Sequence, residues 1–412
     1  MRKIAFLLWS PDISGGTNVI FEHATRMRAA GHEISIITED KPNPERLNWF
    51  PQARDLIWLD YQEASKSSFD LVIATWWRTV FYLPRLRANK YCYFVQSIES
   101  RFYSEDQVVL RNLVELTYSL DLNFITEATW IKNYLQDEFE KVAKLVKNGI
   151  RKDYFNNSVL ATSPRVPGKL RVLVEGPLGV SFKNTELAVE LCRASQADEI
   201  WLVTSTEIGA YPGVDRLFSR VPISRIGEIY ASCDVLIKLS TVEGMFGPPL
   251  EIFHTGGTSI SYDVTGYDEY IEHERNGLVS FSRNNQEIID FIDKLKKDEL
   301  YLSKLKKEAI ATAEAWPDWY KSSDEFLCAC EEIIDSGSGT AFKLMKSQLE
   351  RYWDSYNHHI SSKVSDSVNT KRLVPLTHEF RKKLIKHLYE NHPGVFSFLR
   401  KIKWTLKAYM DK

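Results

Sequence analysis

The apolar positions of this chain gather into short unbroken runs, each followed by a polar loop and often by a stretch with helical spacing. KIAFLLW (3–9) gives way to the loop SPDISGG, then to TNVIFEHATRMRAAGH with its glycine stop, then to EISIIT. That order predicts a strand, a helix and a second parallel strand. DLIWLD, DLVIAT, YCYFVQ and LDLNFIT repeat the apolar run, at the length of inner strands covered on both faces. A stretch rich in Ser, Asn, Pro and Gly interrupts the rhythm at 156–169, and KLRVLVEGPLG restarts it. NTELAVELCRAS and ISRIGEIYASC then read as helices, and EIWLVTS and DVLIKLS as strands. Two consecutive α/β halves predict two Rossmann-like domains facing a cleft, with ligands at the loops that leave the strands. The expected boundaries are 1–160, 169–315, a helix at 316–335 returning to the first domain, and a basic helical extension at 336–412.

Composition narrows this picture only slightly. The 412 residues are 44% hydrophobic and 26% charged, enough for two or three packed domains. A net charge of −2 creates no global field toward nucleic acid. The five cysteines show no metal-ligand spacing, so free thiols in a reducing compartment are expected and zinc is not. The apolar run IAFLLW is short for a signal peptide, and no run reaches the ~18 residues of a membrane span. A cytoplasmic protein is expected. Residues 371–412 differ, with eleven Lys/Arg against three Asp/Glu. Interleaved with Phe396, Phe398, Leu399, Ile402 and Trp404, these charges suit an interfacial helix on an anionic membrane, or a helix docked on the protein itself.

Three loops carry candidate chemistry. Ser14-Gly15-Gly16-Thr17 lets a ligand approach a helix start, although it is not GxGxxG. Gly176 to Asn184, with Lys183, suits a phosphate clamp without being a Walker motif, and Lys183 equally suits a solvated surface. EGMFGPPLE sets Glu243 and Glu251 on either side of a loop stiffened by Pro248 and Pro249. Two carboxylates flanking a helix start suit a ligand with an anionic middle and a polyol at each end, the layout of a nucleotide-sugar. The same pair could be a hydrolase's acid and base, or a loop residue and a helix cap. Trp76-Trp77-Arg78, at another strand exit, suits stacking on sugar rings or core packing.

EGMFGPPLE resembles the E-x7-E signature of family 4 glycosyltransferases of the GT-B fold. SGGTNVIFEHATRMRAAGHEISIIT, KNGIRKDYF and TGGTSISYDVTGYDEYIEHERNGLVS resemble further elements of that family, in order, over about residues 1–335. The last includes an Asp-x-x-Gly loop and an acidic helix start. YCYFVQSIESRFYS and LTYSLDLNFITEATWIKNYL resemble, more narrowly, the rhamnosyltransferase branch that builds bacterial surface polysaccharides.

The resemblance implies that Lys183 binds the donor diphosphate and stabilises the leaving group. Glu251 would hold the ribose and Glu243 the donor sugar. The amides of Met245, Phe246 and Gly247 would lie near phosphate and sugar, Gly15 and Gly16 beside the diphosphate or acceptor, and Gly176 in the loop that binds the donor phosphate. Two departures stand out. Pro177 replaces an arginine usual in the family, leaving a second cation to be found, with Arg225 and Arg78 as candidates. Gln96 replaces a frequent histidine, so Gln96 and Glu99 would face acceptor or sugar, as would Trp76 and Arg78.

The implied activity is retaining transfer, by front-face displacement and without metal or other cofactor, onto a lipid-linked or growing surface glycan. The donor leans to dTDP-rhamnose, with UDP- or GDP-hexoses next. The basic tail would meet the inner membrane face or other glycan-assembly proteins. A non-catalytic GT-B scaffold and a GT-B nucleotide-sugar epimerase are the alternatives.

Overall fold

A computed structural model of the chain describes residues 1–337 and 346–352, together with Asp354. Its first half is a seven-stranded parallel sheet ordered β3-β2-β1-β4-β5-β6-β7. The strands are β1 Lys3–Leu7, β2 Glu33–Thr38, β3 Ile57–Asp60, β4 Ser68–Ala74, β5 Arg87–Val95, β6 Asn123–Thr126 and β7 Ala143–Leu145. The second half is a six-stranded parallel sheet ordered β10-β9-β8-β11-β12-β13. Its strands are β8 Arg171–Glu175, β9 Glu199–Thr204, β10 Arg216–Ser219, β11 Val235–Lys238, β12 Thr258–Tyr262 and β13 Leu278–Ser280.

The apolar runs are the central strands, and alternate residues feed cores on opposite faces. Ile4 and Phe6 of β1 pack into one cluster, Ala5 and Leu7 into another. Both faces are therefore covered, as a parallel sheet requires. The first helix, Gly15–Ala29, starts where Ser14 Oγ accepts the Thr17 amide at 3.1 Å. Gly31, left-handed at φ 92°, turns the chain into β2.

Two edge strands, β7 and β10, were not legible as apolar runs. AKL and RLFS are short, and each pairs on one side only. The acidic helix expected after the Asp-x-x-Gly loop is instead one 3-10 turn, Tyr267–Glu269. Asn276 explains the stop: its Oδ1 accepts the Glu272 amide and its Nδ2 donates to the Tyr270 carbonyl, at 2.8 Å each. Those backbone groups are thereby taken from a continuing helix.

The linker is pinned rather than free. Arg165 donates to the carbonyls of Cys233, Thr255 and Gly256. The helix Trp319–Asp335 crosses back onto the first half, where Phe326 stacks on His23 at 4.2 Å and Ser323 Oγ lies 3.2 Å from His23 Nδ1. Burial there, aided by Arg26, drives His23 down to about 3, so it is neutral. Among the described residues no helix is long and apolar enough to cross a membrane. The expectations attached to the basic stretch 371–412 lie outside the described residues.

Candidate functional site

Each sheet reverses its strand order once, between β1 and β4 and between β8 and β11. Loops part at such switch points and leave a crevice at the carboxyl ends of the strands. Both crevices open into one cleft of about 710 Å³ between the halves.

Strand register determines what meets at the second switch point. Val174 pairs with Ile237, so the next residues, Glu175 and Lys238, come side by side. Lys238 Nζ donates to Glu175 Oε2 at 2.5 Å and lies 3.9 Å from Glu243 Oε1. Lys183 Nζ donates to the other Glu243 oxygen at 2.7 Å. Burial opposes the charge on Glu243, but the two lysines outweigh it and hold the carboxyl below its ordinary range. Burial likewise opposes the charge on Lys238, and Glu175 and Glu243 more than restore it, so its pKa is raised.

Glu251 behaves differently. Burial and the neighbouring Glu175 lift it to about 8, against a hydrogen bond from Tyr230 and the charge of Lys238. It is therefore protonated at neutral pH in the free protein and can donate as well as accept one hydrogen bond.

The loop carrying Lys183 is shaped for this contact. Gly179 is left-handed at φ 76°, and Gly176, at φ 155°, has Thr185 Oγ1 only 2.5 Å from where a Cβ would stand. Thr185 Oγ1 donates to the Pro177 carbonyl at 2.9 Å, and Asn184 Nδ2 to the Leu239 carbonyl at 2.9 Å. Lys183 ends a 3-10 turn, Ser181–Lys183, and Phe182 beside it stacks on Phe102 of the opposite half at 5.3 Å.

The Glu243–Met245 loop touches the first half directly. Met245 N donates to Glu127 Oε1 at 3.0 Å, Trp130 Nε1 to the Gly244 carbonyl at 2.9 Å, and Ser97 Oγ to the Glu243 carbonyl at 3.3 Å. A Cβ on Gly244 would stand 1.8 Å from the Gln96 carbonyl oxygen. Burial raises Glu127 to about 7, against hydrogen bonds from Met245 and Asn148.

The sequence-derived candidates divide accordingly. Gly15, Gly16, Trp76, Gln96, Glu99, Lys183, Glu243, Met245, Gly247 and Glu251 all line the cleft. Phe246 is fully buried in the second core and Gly176 lies behind the lining. The Met245 amide is held by Glu127, and the Gly247 amide donates to the Met245 carbonyl at 3.0 Å. Glu99 lines the cleft but turns its acid inward, where Oε2 accepts the Trp77 amide and the Tyr93 hydroxyl at 2.7 Å each. Arg225 is exposed, pairs with Glu228 and does not line the cleft. The sequence reading did not identify Lys238, Glu175 or Glu127. A lysine ending an apolar run was the available signal for Lys238, since a charge there must find partners or leave the sheet.

Residues 216–315 match the family model described as glycosyl transferases group 1. That segment holds Lys238, Glu243 and Glu251, with Glu175 and Lys183 upstream of it. No curated protein sequence matches the chain. Among solved structures, HepE of Anabaena in complex with UDP and glucose superposes with a TM-score of 0.64 at 15% identity, over 81% of this chain and 100% of that one. Sucrose-phosphate synthase from Thermosynechococcus elongatus gives 0.64 at 14%, over 81% and 99%. WaaG, a glycosyltransferase involved in lipopolysaccharide biosynthesis, gives 0.60 at 15%, over 81% and 100%. The matched segment identifies the enzyme class, a glycosyltransferase, and the structural neighbours identify the fold, the two-domain GT-B architecture.

Proposed function

We propose that the cleft transfers a sugar from a nucleoside diphosphate donor to a glycan or lipid-linked acceptor with retention of configuration. The observation that carries this reading is the array Glu175–Lys238–Glu243–Lys183 at the second switch point, with Glu251 beside it. Two ammonium groups flank one carboxylate, so a diphosphate entering the cleft can take over either lysine while Glu243 turns to sugar hydroxyls. Lys238, on a rigid strand, is the proposed second cation in place of the arginine absent at Pro177. In this reading Glu251, next to Tyr230, bonds a ribose diol, and Gly15 and Gly16 let the first helix approach the diphosphate or acceptor.

As the bond from the anomeric carbon to the diphosphate oxygen breaks, the lysines stabilise the departing charge. The acceptor hydroxyl adds on the same face and passes its proton to the leaving phosphate oxygen. This reading assigns charge stabilisation to lysines rather than to a metal ion.

dTDP-rhamnose, favoured by the sequence resemblance, and UDP-glucose, present in a HepE structure, are the first donors to test. The reading also takes the acceptor to be a bacterial surface glycan handled at the inner membrane face. The assay is release of nucleoside diphosphate with and without lipid-linked glycan. Acceptor-dependent release that Lys183→Ala and Glu243→Gln both abolish is expected. Release indifferent to acceptor would favour a hydrolysing epimerase, in which water takes the sugar, and full activity in both variants would overturn the site.

A further inference from the structure

The first switch point holds a second charged feature that the donor reading leaves unused. Leu7 and Ala74 are register partners, so Trp9 and Trp76, two residues beyond each, meet edge to face at 4.9 Å. Arg78 sits within this group. Its guanidinium carbon lies 5.3 Å from the Trp9 ring centre and 5.0 Å from those of Trp76 and Trp77. Trp77 is fully buried on the core side, while Trp9 and Trp76 are half-buried and line the cleft.

Arg78 is only 3% exposed, and its Nε and Nη1 are enclosed without a hydrogen-bond partner. It forms no ion pair among the described residues. Among the described residues the other two arginines buried to this degree each hold a carboxylate, Arg151 that of Glu22 and Arg171 that of Glu199. Glu99, the acid that holds the neighbouring Trp77, is committed to the Trp77 amide and Tyr93, and burial lifts it to about 8. Three indole faces offset part of the cost of burying a guanidinium. They leave Nε and Nη1 unmet, and either of these, together with the adjacent Nη2, makes a fork that fits a phosphate or carboxylate.

We infer that Arg78, with Trp9 and Trp76, forms an anion subsite on the acceptor side of the cleft, and that the acceptor is a sugar bearing a phosphate or carboxylate. The sugar ring stacks against the indoles at the cleft wall while its anion displaces them enough to reach the guanidinium. This deepens the glycosyl-transfer reading by naming the acceptor's charge.

The test is calorimetric titration of the full chain with glucose 1-phosphate, glucuronate and neutral glucose, in wild type, Arg78→Met, Arg78→Lys and Lys183→Ala. At least one charged sugar should bind wild type about tenfold or more tighter than glucose. Preference for the phosphate, the carboxylate or both then names the anion. Arg78→Met should lose the preference, Arg78→Lys should keep part of it through its charge, and Lys183→Ala should keep it fully. If Arg78→Met does not fold, the lysine variant and Lys183→Ala still decide. The inference is overturned if wild type prefers neither charged sugar, or if the Arg78 variants bind them as wild type does. UDP, titrated alongside, separates the two readings: the donor site should lose UDP in Lys183→Ala and keep it in Arg78→Met.

Discussion

Gly244→Ala tests whether contact between the halves sets the geometry of the site. Gly244 has no left-handed backbone, so the effect is steric alone. The added Cβ would stand 1.8 Å from the Gln96 carbonyl oxygen, whereas real Cβ atoms essentially never come within 3.0 Å of such an atom. Gln96 follows β5 of the first half, and the obstacle is backbone, so no side-chain rotation relieves it. The halves must part locally by about 1.2 Å. That movement strains all three hydrogen bonds of this loop to Glu127, Trp130 and Ser97. At about 1 kcal/mol each, the closed arrangement loses about 3 kcal/mol, or ~150-fold in its ratio to open forms.

The assay is kcat/KM for the donor that wild type uses, with small-angle scattering of the nucleotide-bound protein. A fall on the order of 100-fold and a more open scattering profile are expected. Chemical denaturation should shift little, because the position lies outside both cores. Turnover within threefold of wild type, with superimposable scattering, would refute the reasoning.

Lys238→Met removes a buried ammonium, strands the half-buried Glu175 and leaves Glu243 to Lys183 alone; because solvent still reaches Glu175, the cost falls toward the lower end of the ~3–5 kcal/mol for breaking a buried pair, read as a lower denaturation midpoint, and a Glu175→Gln/Lys238→Met double variant should recover part of it. Glu99→Gln tests pH linkage. Burial holds Glu99 at about 8, so its proton favours the folded state below its unfolded value of 4.5, and that stability is lost as pH rises to 8. The buried His23 and His254, lowered to about 3 and about 4, act in the opposite direction, losing stability as pH falls below 6.5. Between pH 6.5 and 8 the glutamates act alone, and replacing Glu99 should remove up to ~1.4 kcal/mol per pH unit from the fall in stability. An unchanged slope in that window would contradict the assignment.

The sequence disclosed the sheets through their interiors. β1, β4, β8 and β11 each carry an unbroken apolar centre because both faces are covered, and that signal survives without tertiary information. β7 and β10 lie at edges, where half the burial is missing and the pattern fades. At the site, EGMFGPPLE was readable because glycines and prolines restrict a loop locally. Glu175 and Lys238 were not, because they are 63 residues apart and only the β8–β11 register joins them. The same holds for Glu127 and Met245, which meet across the cleft. Arg78 could be quoted from the sequence, but its lack of a counter-charge among the described residues is a fact of three-dimensional packing.

The most direct test of the central claim is a thermal-shift titration of the full chain with dTDP, UDP and GDP, in wild type and Lys183→Ala. A ligand that binds only the folded state raises Tm by mass action, by about 2.7 kcal/mol of stabilisation at one hundred times its Kd. The account predicts a clear rise with at least one nucleoside diphosphate, abolished by Lys183→Ala. No rise with any of the three at millimolar concentration, or an equal rise in the variant, would contradict it.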